Sequence, residues 1–476
     1  MRRRAIVVGG AVAAGAAMLG AGAAILSGAR DPAGWDEAYD VVVAGGGAAG
    51  LSAAATAASE GASVLLLEKE GALGGDTLIS GGYFNAVCTD CGADLDAGSV
   101  RDSVARFRDQ ILVSGGALAS PGLAEALAAG SGPALSWLKA IGVRFLPQPR
   151  EIYGGMFPRA FKSVLSRGEG YIRALHAECE RRKVVIRTGS PVRSFVFRDG
   201  GPVLGVAAVS DGMPIRIRAK KGVVIASGGY GASPERLRAW APRFAELPHD
   251  SQEGATGELI EAAGRAGAAV VNLDRVECTP GNGAVRGADQ ARLDIVPGRM
   301  IMVDSRGRRF VDETGYRSRI AEAILKLPSR ACWSVADADT VSSFEFASQK
   351  RLLKGYYAGG VFREATPAAL ARRIGVPEGA FCESVRAMRD ARGLKAPPFW
   401  AVPVSLRIHA TLGGIRVDEK ARCLDADGDP VPGLWAAGAV IGNIHGANRL
   451  GGNGINTAVV FGRLAGRGAA RGPELS

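Results

Sequence analysis

The chain has 476 residues, of which 47% are hydrophobic, and a formal net charge of +11 at pH 7. This length is too great for one small domain, and the composition excludes a disordered chain. No dense run of lysine and arginine interleaved with aromatic residues occurs, so nucleic-acid binding is not favoured. The positive charge suits an acidic substrate or an acidic partner, although an ordinary solvated surface explains it equally well.

The first 29 residues differ from the rest of the chain. Arg2, Arg3 and Arg4 precede an uncharged run, rich in alanine and glycine, that extends over residues 5–29. This pattern predicts an export signal similar to a twin-arginine signal, and hence a periplasmic or cell-envelope protein without a stable membrane span once processed. An uncleaved anchor and a disordered basic tail remain alternatives, because roughly 20 apolar residues can span a bilayer.

A nucleotide-binding pattern begins at the strand predicted for residues 40–44. A helix follows its glycine-rich turn, and a second strand at 63–67 ends at Glu68, 18 residues beyond Gly50. The turn and the start of the helix contain Gly45, Gly47, Ala48, Ala49 and Gly50. This order predicts a dinucleotide whose phosphates lie at the helix N-terminus and whose ribose hydroxyls bind the acid.

Cys88 and Cys91 form a lone C-x-x-C motif. No histidine follows it and no second cysteine pair accompanies it. Haem attachment and a structural zinc site both need those extra residues, so we predict neither haem nor metal. A local disulfide and two unreactive thiols both remain open.

Three later segments contain side chains suited to binding and proton transfer. Arg309–Glu313 reads R-F-V-D-E and is followed by Arg317, His409 begins an H-A-T-L-G-G run, and residues 445–453 read H-G-A-N-R-L-G-G-N. The guanidinium fork of Arg449, within the last segment, suits a carboxylate.

These segments resemble the FAD-dependent fumarate reductase and succinate dehydrogenase flavoproteins over residues 36–472. The glycine-rich turns after residues 68 and 226, and the strand at 433–438, resemble the family's FAD-contacting segments. The resemblance implies noncovalent FAD, since no flavin-linking histidine occurs in residues 76–82. Beyond the first turn and Glu68, the implied cofactor contacts are Lys69, Asp76, Thr77, Gly81, Gly82, Val192, Ser227, Gly228, Gly229, Glu258, His445, Arg449, Gly452, Asn453 and Ile455.

The resemblance also implies an α/β fold, in which a Rossmann-like FAD-binding domain carries an inserted α+β capping domain. We expect the FAD-binding domain at residues 36–270 and 391–472, and the capping domain at 271–390. Exclusion of water by this cap would strengthen the electrostatic interactions beside the flavin.

The implied reaction is reduction of the C=C bond of an unsaturated carboxylic acid. In the family, residues matching His409 and Arg449 hold a carboxylate, and an arginine matching Arg317 donates the proton. Thr279 stands where the family has a histidine of its second carboxylate site, and the family's Thr-Glu pair is missing near residues 292–294. We therefore predict an unsaturated acid other than fumarate, with Asp289 or Asp294 as the proton-relay acid.

We expect the electrons to come from a separate cytochrome c or quinol-linked donor. Two alternatives stay open at this stage. The first is a dehydrogenase of the ketosteroid type, although a steroid has no carboxylate for Arg449 to hold. The second is a non-catalytic flavin electron-transfer subunit.

Overall fold

The structure is a computed structural model that describes residues 34–87, 96–97, 100–152, 154–198, 200–282, 299–344, 346–389 and 394–475. The predicted export signal, the C-x-x-C motif and both candidate relay acids, Asp289 and Asp294, lie outside these residues. Predictions that concern them therefore stay predictions.

The strands of the described ranges are β1 (Glu37–Ala44), β2 (Val64–Leu67), β3 (Tyr83–Asn85), β4 (Asp96–Ala97), β5 (Val100–Arg101), β6 (Ala160–Lys162), β7 (Val185–Arg187), β8 (Val192–Phe197), β9 (Val203–Ser210), β10 (Met213–Ile225), β11 (Val270–Val271), β12 (Val276–Asn282), β13 (Met300–Val303), β14 (Ala331–Ala336), β15 (Phe362–Glu364), β16 (Phe399–Thr411), β17 (Gly414–Ile415), β18 (Arg422–Leu424) and β19 (Pro430–Ala436).

The α-helices of the same ranges are α1 (Ala48–Ser59), α2 (Gly75–Ile79), α3 (Val104–Gly115), α4 (Pro121–Ala140), α5 (Glu169–Arg181), α6 (Pro234–Trp240), α7 (Glu258–Arg265), α8 (Arg317–Leu325), α9 (Ala338–Ser342), α10 (Phe346–Tyr357), α11 (Pro367–Ile374), α12 (Glu378–Arg389) and α13 (Asn453–Arg471). None of these helices is long and apolar enough to cross a bilayer.

The main sheet has eight strands and follows the order β18-β19-β10-β1-β2-β7, with β9 on β10 and β8 on β9. The strands from β19 to β7 along this order pair in parallel, as expected for apolar runs buried on both faces. The predicted α/β fold with a Rossmann-like unit is therefore confirmed. The observed β1 begins at Glu37, earlier than predicted, and β2 begins at Val64 because Ser63 pairs with Asp40 instead.

Small residues let α13 pack directly on α1 beneath the main sheet. A Cβ atom at Gly466 would lie 2.1 Å from the carbonyl oxygen of Ala53, and one at Gly462 would lie 2.5 Å from that of Ala49. Such close backbone approach is open to glycine alone. The two helices run parallel with Gly462 beside Ala49, so the first residues of α13 extend past the N-terminus of α1.

A second sheet of five antiparallel strands follows the order β12-β16-β14-β13, with β15 on β16. The pairing of β12 with β16 is interrupted by a bulge, since Glu277 pairs with Ala410 while Cys278 pairs with Ile408. The predicted domain bounds stay a prediction. Strand β16, which follows the predicted boundary at residue 390, pairs within this second sheet.

Candidate active site and cofactor cleft

The three glycines of the first turn have different surroundings. A Cβ atom at Gly45 would lie 2.3 Å from the carbonyl oxygen of Ala226, and one at Gly50 would lie 1.8 Å from that of Gly45. These two positions therefore need glycine for the turn and for helix–strand packing. Gly47 is open, because its nearest neighbour would be the Gly74 carbonyl oxygen at 3.8 Å. A ligand phosphate can therefore approach the backbone at Gly47 and at Ala48 and Ala49, which begin α1.

Glu68 is buried at the end of β2, as the nucleotide pattern requires. Its Oε2 atom accepts a hydrogen bond of 2.6 Å from the Gly46 amide, and its Oε1 atom accepts one of 2.8 Å from the Glu70 amide. A carboxylate has about four acceptor sites, so Glu68 retains capacity for ribose hydroxyls. Its position agrees with the predicted role.

A cavity of about 420 Å³ lies at the C-terminal end of β2, beside the residues that follow Glu68. Lys69 and Glu258 line it and form an ion pair of 2.5 Å, and the Lys69 ammonium group also donates to the Thr256 hydroxyl at 2.7 Å. Pro191 and Arg193 complete one wall, and the buried Val192 lies between them in sequence. Two of the predicted cofactor contacts, Lys69 and Glu258, are therefore brought together at one cavity.

The loop after β2 is held against the start of α1. The Thr77 hydroxyl accepts a hydrogen bond of 3.3 Å from the Ala48 amide, and an Asp76 carboxylate oxygen accepts one of 2.6 Å from the Gln252 amide. Burial raises the pKa of Asp76. Gly81 precedes Gly82, whose φ of 74° and close approach to the Arg167 carbonyl exclude a side chain.

The Ser227-Gly228-Gly229 turn at the end of β10 lies between the two sheets. A Cβ atom at Gly229 would lie 2.1 Å from the Thr411 hydroxyl of β16, whereas one at Gly228 would meet nothing within 4 Å. The Tyr230 amide donates a hydrogen bond of 3.3 Å to the Thr411 hydroxyl. The turn therefore presents an open side at Gly228 while its other side is anchored to the second sheet.

The signature loop, residues 445–452, leads into the buried N-terminus of α13. Gly452 caps this helix with a φ of 85°, and the Asn453 side-chain oxygen accepts a hydrogen bond of 2.8 Å from the Asn85 amide group. His445 shares a hydrogen bond of 3.1 Å between its Nε2 atom and the Thr457 hydroxyl. Burial lowers the pKa of His445 to about 3, so its imidazole is neutral at pH 7. The predicted contact Ile455 is also buried here.

Several buried polar atoms around this cleft have no partner within the described ranges. They are the Ser227 hydroxyl, Nδ1 of His445, Nδ2 of Asn453 and both amide atoms of Asn456. Buried polar groups normally find a hydrogen-bond partner in the protein, in water or in a ligand. Together with the open glycines and two helix N-termini, they fit a large polar cofactor such as FAD. No cluster of candidate metal ligands occurs among the described residues.

Glu277 of β12 joins the two arginines that the sequence singled out. Its Oε1 atom lies 2.7 Å from Nη2 of Arg317, and its Oε2 atom lies 2.7 Å from Nη2 and 2.9 Å from Nε of Arg449. Arg317 also donates a hydrogen bond of 2.9 Å to the Arg449 carbonyl. Burial raises the pKa of Glu277, but the charges of Arg317 and Arg449 outweigh burial and lower it to about 2. This Arg–Glu–Arg triad is therefore ionised and carries two positive charges and one negative charge.

Glu277 was not among the predicted site residues. It lies in the segment Glu277 to Pro280, where Thr279 replaces the family's histidine. The sequence signal was an acid followed by two residues of low polarity, a segment expected to be buried. Because buried carboxylates are rare unless they are paired, such an acid indicates a partner of opposite charge. In the structure Arg449 pairs with this buried acid.

Asn448 holds Arg317 at the start of α8. Its side-chain oxygen accepts a hydrogen bond of 3.1 Å from the Ser318 amide, and its side-chain nitrogen donates one of 2.6 Å to the Ser114 hydroxyl. The signature loop thereby caps the helix that begins with Arg317. Arg317 is 6% exposed, so it is not an arginine of the helix surface.

His409 occupies the bulge of β16 rather than the triad itself. Its side chain is 37% exposed, and its Nδ1 atom lies 3.9 Å from an oxygen of Asp250, which in turn pairs with Arg407 at 2.6 Å. A bulge redirects a side chain relative to a regular strand. The charge of His409 contributes to the lowered pKa of the Glu277 carboxyl.

The R-F-V-D-E run supports the site without contributing to it. The fully buried Glu313 accepts a hydrogen bond of 2.7 Å from the Met302 amide and pairs with Arg309 at 2.6 Å. These contacts fix the turn that leads into α8. The segment therefore positions Arg317 through the backbone.

Comparisons with known proteins agree with this geometry. The family model described as FAD binding domain matches residues 40–455. The probable fumarate reductase Ifc3 of Shewanella frigidimarina is 30% identical, with 86% of this chain and 71% of the relative covered. The NADH:acrylate oxidoreductase of Vibrio harveyi is 29% identical over 91% of this chain, which spans about half (50%) of that relative's length.

A solved structure shares the fold. The open conformation of a flavocytochrome c3 fumarate reductase superimposes with a TM-score of 0.74 at 28% sequence identity, with 92% of this chain and 79% of that chain covered. The family match and this likeness agree with the open glycines and the unpartnered polar atoms of the cleft. The chain therefore belongs to the FAD-dependent oxidoreductases of the fumarate reductase-like family, and its cofactor is FAD.

Proposed function

We propose that this protein reduces the C=C bond of an unsaturated monocarboxylic acid other than fumarate. The observation that carries the proposal is Glu277 in the Arg–Glu–Arg triad. Two guanidinium charges less one carboxylate charge leave one net positive charge, which matches a single substrate carboxylate. Buried charges are stable when they are paired. One substrate carboxylate therefore neutralises the net positive charge of the triad, whereas a dicarboxylate would leave a net negative charge.

The far end of the site favours the same class of substrate. Thr279, where the family has a carboxylate-binding histidine, is buried and uncharged two residues beyond Glu277 on β12. A second carboxylate placed there would lose its hydration, and Arg407, which pairs with Thr279 across the sheet, is already bound to Asp250 at 2.6 Å. Apolar or neutral polar substituents on the alkene fit this end better.

The proposed mechanism divides the work among three side chains. Arg449 and His409 orient the substrate carboxylate and stabilise the enolate-like charge that develops on it. Arg317 donates a proton to the α carbon. Because the Arg317 side chain is buried, this proton is protected from exchange with water. Bound FAD in its reduced form supplies the hydride for the β carbon. The names of the relatives, which include acrylate and fumarate reductases, support this reaction class.

The electron donor and the location of the protein belong to the same proposal. We propose a separate cytochrome c or quinol-linked donor and an exported, periplasmic or cell-envelope enzyme. The lone C-x-x-C without a following histidine and the arginine-led N-terminal segment support these two points.

A comparison of acrylate with acrylamide tests whether a carboxylate is recognised. The reduced holoenzyme is mixed anaerobically with each compound, and reoxidation of its flavin absorbance is followed. We expect acrylate to react about 30-fold faster or more, because a charge-assisted contact contributes roughly 2 kcal/mol. Arg449→Ala should abolish this preference. Equal rates for the acid and the amide would contradict carboxylate recognition and favour a neutral enone substrate.

A further inference from the structure

We propose that Glu277 returns a proton to Arg317 after each turnover and is the relay group of this site. The inference rests on the proposed function, in which Arg317 gives up a proton to the substrate. The candidate relay acids named from the sequence, Asp289 and Asp294, lie outside the described residues, whereas Glu277 contacts the proton donor directly.

The contacts of Glu277 support a relay. Oε1 forms an ion pair of 2.7 Å with Nη2 of Arg317 and accepts no aligned hydrogen bond, while Oε2 accepts one from Arg449. One oxygen therefore faces the group that loses the proton, and the other is fixed by a group that keeps its charge. The Glu277 side chain is 2% exposed, so its proton exchange must pass through neighbouring groups rather than directly to bulk water.

The ionisable groups that act on Glu277 come from three directions. They are Arg317 at the start of α8, Arg449 in the signature loop, His409 on β16 and, more remotely, the buried His445, with the thiol of Cys278 adjacent in sequence. Of these groups, His409 is the one with a side chain substantially open to solvent, at 37%. His409 and its neighbour Asp250 therefore form the solvent end of the route.

Loss of the Arg317 proton itself prepares Glu277 to act. Arg317 and Arg449 hold the pKa of this carboxyl well below its usual value, against the effect of burial. Once Arg317 is a neutral guanidine, its charge no longer lowers that pKa, and burial continues to raise it. The proton affinity of Glu277 thus rises in the same step that creates the need for a proton.

An N–H bond of Arg317 breaks while a C–H bond forms at the α carbon, which leaves a neutral guanidine. Glu277 accepts a proton from the solvent side through His409, and this O–H bond then breaks as the N–H bond of Arg317 forms again. The two electrons come with the hydride from the cofactor, so each turnover consumes one hydride and one solvent proton.

A comparison of the first turnover with later ones tests the relay. Holoenzyme carrying Glu277→Gln is mixed with an enoate and excess reduced methyl viologen, and saturated product is counted by rapid quench. We expect one product per FAD at close to the unaltered rate, because Arg317 begins protonated, and then turnovers slowed about 100-fold or more. KM should not rise, because the change removes a negative charge from the site.

Glu313→Gln is the matched control. Glu313 is also a buried glutamate paired with an arginine, but it lies outside the triad. The Glu313→Gln variant should show no burst of product, because any effect on its rate should be the same in the first and in later turnovers. If Glu277→Gln does not retain FAD, Glu277→Asp takes its place, with a burst and a milder slowing expected because a carboxyl group is kept.

The outcomes separate the two proposals. An equal loss of first and later turnovers in the Glu277 variants would overturn the relay and leave Glu277 as a counter-charge. If the unaltered holoenzyme reduces no enoate, the proposed function falls and the relay falls with it. A burst followed by slow turnover, absent from the Glu313 control, supports the relay.

Discussion

The charge state of each buried ionisable side chain at this site depends on the groups that contact it. Glu277 remains a carboxylate because two guanidinium groups contact it, whereas His445 remains neutral because desolvation is the largest influence on it. Burial disfavours the charged form of both groups, yet Glu277 is charged and His445 is neutral. The difference depends on the available partners rather than on depth.

His445 gives a pH dependence of stability with a defined sign. Its pKa falls from 6.5 to about 3 on folding, so the unfolded chain takes up a proton that the native state refuses as pH falls below 6.5. Between pH 7 and pH 5 we expect this group to cost about 2 kcal/mol of unfolding free energy. Urea unfolding of the holoenzyme at several pH values, compared with His445→Gln, measures the loss. Parallel pH profiles for the two proteins would contradict the assignment.

The Glu277 carboxyl acts in a lower pH window. Its pKa is lowered from 4.5 to about 2, so its stabilising effect is present above pH 4.5 and is lost as pH falls toward 2. The two windows overlap below pH 4.5. Of these two groups, His445 is therefore the main cause of any change in unfolding free energy between pH 6.5 and pH 4.5.

Residue types and spacing predicted some members of the site but not their contacts. Arg317 and Arg449 were found because each lies in a recognisable run, and the structure brings both to one carboxylate. Their shared partner Glu277 lies 172 positions from Arg449, and no local pattern indicates such a pairing. Long-range partners depend on which strands and helices meet, which a single sequence does not reveal.

At the scale of elements, the start of α8 depends on the signature loop. The Asn448 side chain accepts a hydrogen bond from the Ser318 amide in the first turn of this helix, and it donates one to the Ser114 hydroxyl at the end of α3. A helix cap of this kind stabilises by about 1 kcal/mol. Because it holds the turn that begins with Arg317, its loss should affect the position of the proton donor more than the fold.

Asn448→Ala should therefore lower kcat by about 10-fold to 100-fold while unfolding free energy falls by about 1–2 kcal/mol. Steady-state reduction of an enoate and urea unfolding measure the two quantities. Ser103→Ala, which removes the N-cap bond to Arg106 on α3, is a control for the loss of a cap away from the triad. A loss of kcat no larger than in that control would contradict a positioning role.

Element boundaries show where sequence patterns stop being informative. In the main sheet, β1, β2 and β19 were predicted near their observed positions because their apolar runs lie between glycine turns and acids, whereas β7, β8, β9 and β18 were not predicted. The bulge at His409 was not predicted, since it arises from the pairing of β12 with β16 rather than from either strand alone. This bulge accounts for the orientation of His409 toward Asp250.

At the scale of the whole molecule, FAD binding and stability should be linked through Gly47. Free FAD at 100 times its Kd stabilises a protein by about 2.7 kcal/mol. A methyl group at Gly47 meets no protein atom closer than 3.8 Å, so the apoprotein should tolerate Gly47→Ala. The same methyl group fills the open side of the turn and should remove most of the FAD-dependent rise in Tm.

Gly379→Ala is the matched control for this change. Gly379 lies on α12, and a Cβ atom there would meet nothing within 4 Å. Its Tm should respond to added FAD as that of the unaltered protein does. A full FAD response in Gly47→Ala would mean that the phosphates do not approach this turn.

The most direct measurement of the central claim is anaerobic reoxidation of the dithionite-reduced holoenzyme by a panel of unsaturated acids. The panel contains acrylate, urocanate, an aromatic enoate and fumarate, and Arg317→Ala is compared with Arg319→Ala, an exposed arginine on the same helix. We predict rapid reoxidation by one acid other than fumarate, slowed about 100-fold or more in Arg317→Ala and unchanged in Arg319→Ala. Failure of every acid to reoxidise a bound, reducible flavin, or an equal rate in Arg317→Ala, would contradict the account.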